Sequence, residues 1–76
     1  NKVELTKNEY RILQCLLENV GKVVSRDSIM EKLWEDEAFV DDNTLTVNVT
    51  RLRRKLEDAG VSDYIRTKKG VGYIIS

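Results

Sequence analysis

The 76-residue chain contains no histidine, no proline and a single cysteine, and its aromatic content is one tryptophan, three tyrosines and one phenylalanine. Without histidine there is no Ser-His-Asp triad, no Cys-His dyad and no imidazole base. A lone Cys15 forms no internal disulfide, and the chain offers no Cys/His framework for structural zinc. No apolar run approaches the ~20 residues of a membrane span, and the opening residues lack the apolar core of a signal peptide. There is no internal repeat, low-complexity tract or linker. The length fits one small domain near the lower limit for an unaided core, with no room for a second, catalytic domain. The economical expectation is a cytosolic, reduced domain with no catalytic residues, no metal, no cofactor and no membrane partner.

Charge is what the chain has in quantity. Thirteen basic and thirteen acidic side chains cancel to a net charge of zero, but they are not mixed evenly. Residues 1–42 carry six basic and ten acidic groups, giving −4. Residues 43–76 carry seven basic groups (Arg51, Arg53, Arg54, Lys55, Arg66, Lys68 and Lys69) against Glu57, Asp58 and Asp63, giving +4. Such a polarised field points to a polyanionic partner for the second half, with ordinary solvated surface charge as the alternative.

The patterning gives the organisation. Val3 and Leu5 alternate with polar neighbours, which predicts a short strand over residues 1–5. Thr6 followed by Glu9 is a capping box, and the helix it starts carries Tyr10, Leu13, Leu16, Leu17 and Val20 at helical spacing until Gly21. Ile12 and Cys15 widen that arc beyond one stripe, so the helix is expected to be covered on two sides. With one cover lying outside the chain, the Ile12/Cys15 side is expected to be bare and to promote self-association. Lys22-Val23-Val24 reads as a minimal strand, and Ser25 caps a second helix from about Arg26 to Trp34 whose apolar side is Ile29, Met30, Leu33 and Trp34. An acidic loop over residues 35–42 leads to Asp41 or Asp42, either of which caps a third helix ending near Ala59 and Gly60. Tyr64 to Thr67 alternates, Lys69-Gly70 turns, and Val71 to Ile75 returns as a hairpin. Three helices, a short strand and a C-terminal β-hairpin form the outline of an α+β winged helix-turn-helix.

The third helix carries the most specific signal. On a wheel of 100° per residue, Leu45, Val49, Leu52 and Leu56 make a core stripe. Opposite lie Asn43, Val47, Thr50, Arg51, Arg54 and Asp58, with Thr44, Asn48 and Lys55 on one flank and Arg53 on the other. Arginine can bond guanine bidentately, asparagine can read adenine, and Val or Thr methyl groups can meet the thymine methyl, which is the chemistry of a major-groove helix. A merely solvated helix face rich in good helix formers is the competing account. In the hairpin, Arg66, Lys68 and Lys69 surround a Gly70-Val71-Gly72 tip able to approach a phosphate backbone or minor groove; edge-protecting lysines are the alternative. The five carboxylates of the 35–42 loop lack the EF-hand spacing and read as a solvated loop with a helix cap. Trp34 reads as a core or lid residue, or as an indole N–H donor to a phosphate. Cys15 reads as a small apolar filler.

The segment Asp42-Asn43-Thr44-Leu45-Thr46-Val47-Asn48-Val49-Thr50-Arg51-Leu52-Arg53-Arg54-Lys55-Leu56, with Arg66-Thr67-Lys68-Lys69-Gly70-Val71-Gly72-Tyr73, closely resembles the C-terminal effector domain of OmpR/PhoB-type bacterial response regulators. Leu5-Thr6 through Glu9-Tyr10, Val24-Ser25-Arg26 and Leu33-Trp34 match the same pattern. The wording resembles the branch serving peptide-antibiotic sensing in Gram-positive bacteria. The resemblance implies sequence-specific binding of double-stranded DNA by the effector domain of a two-component transcriptional regulator in the bacterial cytoplasm. It implies base contacts from Val47, Thr50, Arg51 and Arg54, and backbone contacts from Trp34, Asn43, Thr44, Asn48, Arg53, Thr67 and Tyr73. Lys68 and Lys69 fall on the wing, Lys69 where relatives reach into the minor groove. The resemblance further implies a second copy in tandem on direct-repeat sites when the full protein is phosphorylated, and contact with RNA polymerase through loop 35–42. Asn43 and Thr50 depart from the family, which often has Arg there. The family's N-terminal four-stranded sheet is mostly absent, leaving residues 1–5, and so is its receiver. The rival function is a winged-helix protein-interaction module whose basic half meets an acidic protein; scrambling a DNA sequence at constant charge separates the two.

Overall fold

In the computed structural model, which describes residues 4–35 and 40–75, the order is α1 (Lys7–Leu17), β1 (Val24–Ser25), α2 (Arg26–Trp34), α3 (Asp42–Asp58), β2 (Ile65–Lys68) and β3 (Gly72–Ile75). Each helix starts where a side chain satisfies an orphan backbone N–H. Thr6 and Glu9 form the expected reciprocal capping box on α1. Ser25 accepts from the Ser28 N–H at 3.1 Å on α2, and Asp41 accepts from the Thr44 N–H at 2.8 Å on α3. Gly60, at φ +90°, takes the left-handed conformation that ends α3. The three strands form one antiparallel sheet in the order β1-β3-β2, with Val24 opposite Tyr73 and Thr67 opposite Tyr73 on the other side.

β1 begins two residues later than the alternation in Lys22-Val23-Val24 indicates, and Ser25 serves both as its last residue and as the cap of α2. The reason lies across the sheet. Ser25 pairs with Gly72, and a Cβ on Gly72 would run into the Val24 carbonyl and lie 2.8 Å from Ser25 Cα. The close strand approach is possible because that residue is glycine. Of the strand expected over residues 1–5, residues 1–3 lie outside the described residues, and Glu4 and Leu5 are not in a strand.

The core is built from Ile12, Cys15 and Leu16 of α1, Ile29, Met30 and Leu33 of α2, Leu45, Val49 and Leu52 of α3, and Val24, Val40, Ile65, Tyr73 and Ile75. The α3 stripe is the expected one. The α1 stripe is not. Ile12 is fully buried and Cys15 is 7% exposed, whereas Tyr10, Leu17 and Val20 stand out in solvent. The expected bare Ile12/Cys15 side is therefore overturned, and the argument for self-association loses that ground. The cover lies within the chain, where α2, α3 and β3 pack against α1. Glu9 shares that face with Ile12 and Leu16 and is 1% exposed. Its Oε1 accepts from the Thr6 N–H and from Lys55 Nζ, which reaches it from α3. A partnered carboxylate occupies a core position that an unpartnered one could not. Helix α1 also ends at Leu17, so Val20 belongs to the turn that follows.

Candidate nucleic-acid interface

The outward face of α3 holds Asn43, Val47, Thr50, Arg51 and Arg54, all exposed. The Arg51 and Arg54 guanidiniums make no hydrogen bond or ion pair among the described residues, so their charge and donors are free for a ligand. Val47 is 44% exposed, an apolar side chain in the middle of a water-facing row. The Thr50 hydroxyl donates back to the Thr46 carbonyl at 2.9 Å. On the flank, Thr44 is half-buried and Asn48 is 8% exposed, its Nδ2 donating to the Thr44 carbonyl at 2.8 Å. Asn48 thus has its oxygen to offer, at the edge of the face and not at its centre.

A second group of the expected residues converges where α3 meets the sheet. Arg53 donates through Nε to the Ile65 carbonyl at 3.1 Å and through Nη2 to Thr67 Oγ1, tying α3 to β2. Tyr73, 4% exposed, projects from β3 with the guanidinium carbons of Arg53 and Arg26 lying 6.0 and 5.8 Å from its ring centroid. Arg26 is a further site residue that the helix-face and wing patterns do not mark. It donates to Asp42 Oδ1 at 3.0 Å, to the Asp42 carbonyl at 2.7 Å, to Thr46 Oγ1 at 2.8 Å and to Tyr73 Oη at 2.7 Å. Burial disfavours its charge, but Asp42 and Tyr73 outweigh that and raise its pKa further. One side chain at the start of α2 therefore holds the first turn of α3 and the wing in register. Sequence offered one hint, the Val24-Ser25-Arg26 wording, but partners 16, 20 and 47 residues away leave no local pattern.

Trp34 is exposed at the ring, while its indole N–H donates to the Val40 carbonyl at 3.0 Å. That bond closes the described ends of the loop. In this conformation the donor expected to meet a phosphate is already engaged. The wing is a tight turn: the Val71 N–H reaches the Lys68 carbonyl at 2.9 Å, Gly70 sits at φ +76°, and Lys68 and Lys69 are exposed. Asp36 and Glu37 lie outside the described residues; among those described, no three potential metal ligands come together. Burial pushes the Cys15 thiol up, in keeping with a core filler and not an activated thiolate. An open cleft between α3 and β2, lined by Arg53, Glu57, Asp63, Ile65, Arg66 and Thr67, mixes equal numbers of acids and bases.

Comparison with known proteins gives one answer. The family model described as transcriptional regulatory protein, C terminal, matches residues 1–75. The chain is 58% identical over 72 residues to the sensory transduction protein BceR of Bacillus subtilis (strain 168), covering 95% of this chain and 31% of that one. The chain thus spans about a third of the length of the curated relatives it matches. Among solved structures, the C-terminal domain of the lantibiotic response regulator NsrR superposes with a TM-score of 0.88 at 49% identity, over 99% of this chain and 76% of that one. The DNA-binding domain of the response regulator AdeR, in complex with an intercistronic region, superposes with a TM-score of 0.84 at 30% identity, over 97% and 75% of the two chains. With its three helices and three-stranded antiparallel sheet, the chain belongs to the C-terminal, winged-helix family of transcriptional regulatory proteins, the OmpR/PhoB type of response regulator.

Proposed function

We propose that the chain is the DNA-reading part of a two-component transcriptional regulator, with α3 in the major groove and the β2–β3 wing on the backbone or minor groove. The observation that carries this is the division of labour on α3. Arg51 and Arg54 project from its outer face without internal partners, beside exposed Val47 and Thr50, while Arg53 and Lys55 are spent on holding the helix. Free guanidiniums on a rigid helix suit base edges; satisfied ones suit a scaffold. That the similar AdeR DNA-binding domain was solved in complex with an intercistronic region supports DNA as the ligand. In this reading Val47, Thr50, Arg51 and Arg54 face bases. Asn43, Thr44, Asn48 and Trp34 border the phosphates on one side of the groove, and Arg53, Thr67 and Tyr73 on the other. Lys68 and Lys69 meet the backbone or the minor groove.

The wider reading is that of the longer protein. Residues 1–76 form its effector domain, with further N-terminal sheet outside this chain. Two copies bind direct repeats in tandem after phosphorylation, loop 35–42 meets RNA polymerase, and the work is done in the bacterial cytoplasm without catalysis by this domain. The test is a titration of the full-length regulator against a duplex selected by it from random DNA and against a scrambled duplex of equal length, at several salt concentrations. Binding should be at least ~10³-fold tighter on the selected duplex. Equal affinity for both would leave only a basic surface, and the protein-interaction alternative would then stand.

A further inference from the structure

The geometry points to Thr50 as an apolar reader of a thymine 5-methyl group, an assignment that rests on α3 lying in the major groove. The Thr50 Oγ1 donates to the Thr46 carbonyl, 2.9 Å away. A hydroxyl has one proton, so this bond consumes the donor and turns the oxygen against the helix backbone. The oxygen keeps only acceptor capacity, held close to the backbone, and the methyl branch is the part left to project toward a base edge on that exposed face. Thr46 is itself fixed, since its hydroxyl donates to the Asp42 carbonyl at 3.1 Å and accepts from Arg26 at 2.8 Å. Because the acceptor of the Thr50 hydroxyl is a backbone carbonyl of α3 itself, the orientation of Thr50 is set before any DNA arrives.

Val47 extends the same surface. It lies three residues before Thr50, about 4.5 Å along the helix axis and about 60° round it. Together the two make a short apolar strip beside the guanidinium-bearing Arg51 and Arg54. An apolar strip gains nothing from a phosphate or from the donors and acceptors of guanine and cytosine. In the major groove its complement is the thymine methyl group. Thr50 thus discriminates by contact with a methyl group, and the hydroxyl serves to orient that contact, not to read a base.

The experiment uses the full-length regulator and a duplex that it selects from random DNA, with each thymine replaced in turn by deoxyuridine. Wild type should lose about fourfold in affinity at one or two positions, the worth of one buried methyl group. Thr50→Ser keeps the hydroxyl and lacks the methyl. It should bind the thymine duplex about fourfold more weakly and be indifferent to deoxyuridine at one of those positions. Thr50→Val keeps a methyl and lacks the hydroxyl; it should bind within about twofold of wild type and keep the sensitivity. The proposal is overturned if Thr50→Val loses more than Thr50→Ser, if Thr50→Ser stays as sensitive as wild type at every thymine, or if wild type is sensitive at none. Failure to select any preferred duplex would refute the DNA-reading function itself, a result visible before any thymine is replaced.

Discussion

Replacing Arg26 with glutamine should be among the most damaging single changes outside the apolar core, and its size can be worked from the four bonds it removes. The ion pair with Asp42 is largely solvated, with side-chain exposures of 29% and 75%, so it contributes under about 1 kcal/mol. The bonds to the Asp42 carbonyl and Thr46 Oγ1 contribute about 0.5–1.5 kcal/mol each. Tyr73 is buried, and leaving its hydroxyl without a partner costs about 1 kcal/mol or more. The sum is roughly 3 kcal/mol, which for a domain of this size lowers the melting temperature by roughly 12–24 °C. Thermal melting followed by circular dichroism gives the number directly. The partner term can be isolated with Tyr73→Phe, because Arg26→Gln in that background should cost about 1 kcal/mol less than in wild type. A melting temperature within about 3 °C of wild type for Arg26→Gln would refute the claim that these bonds hold α3 to the wing.

Arg51→Ala should cost about 1–3 kcal/mol on a selected duplex and flatten discrimination at one or two base pairs, as measured against a scrambled duplex. Lys69→Ala should weaken all duplexes evenly and make log K less steep in log salt by about one contact; equal losses for Arg51→Ala on both duplexes would count against base reading. Burial raises the Glu9 pKa, but the bonds from Lys55 and the Thr6 N–H and the Lys55 charge outweigh it, so the folded value lies below the usual 4.5. A depressed folded pKa gives stability that is present above about 4.5 and lost as pH falls through the folded value. Glu9→Gln should therefore be less stable at pH 7 yet lose less on acidification, read as melting temperature between pH 7 and pH 3; parallel curves would sink this. Gly72→Ala, which forces a methyl group into the Val24 carbonyl, should destabilise by at least ~2 kcal/mol in a denaturant titration, against less than ~1 kcal/mol for Ala at exposed Val71.

What could be read from the sequence followed from interactions that are local. The caps at Thr6, Ser25 and Asp41 each join residues three apart, and the 3.6-residue period of Leu45, Val49 and Leu52 needs no tertiary knowledge. What failed depended on distant partners. The buried face of α1 is covered by α2, α3 and β3, and its Glu9 finds Lys55 46 residues away, none of which local spacing shows. The place of β1 was misread because its register follows a glycine in β3. Arg26 escaped notice for the same reason, since no spacing rule links residues 26, 42, 46 and 73.

The same distinction changes what the basic half of the chain means. Its seven cations count equally in a formal charge of +4, but the structure divides them. Lys55 pairs with Glu9, and Arg53 bonds the Ile65 carbonyl and Thr67 Oγ1. Arg51, Arg54, Arg66, Lys68 and Lys69 are left without such partners among the described residues. A cation bonded internally still adds to the long-range field that draws a polyanion in, because that field depends on charge and not on free donors. It contributes little to discrimination, because its donors are already occupied when a base edge arrives. Arg51 and Arg53 are two residues apart and chemically identical, yet one stands on the outer face with its donors free among the described residues and the other braces the helix against β2. That difference is set by where β2 lies, which is why composition can point to a polyanion while only the fold separates cations whose donors are free from those whose donors are already bonded.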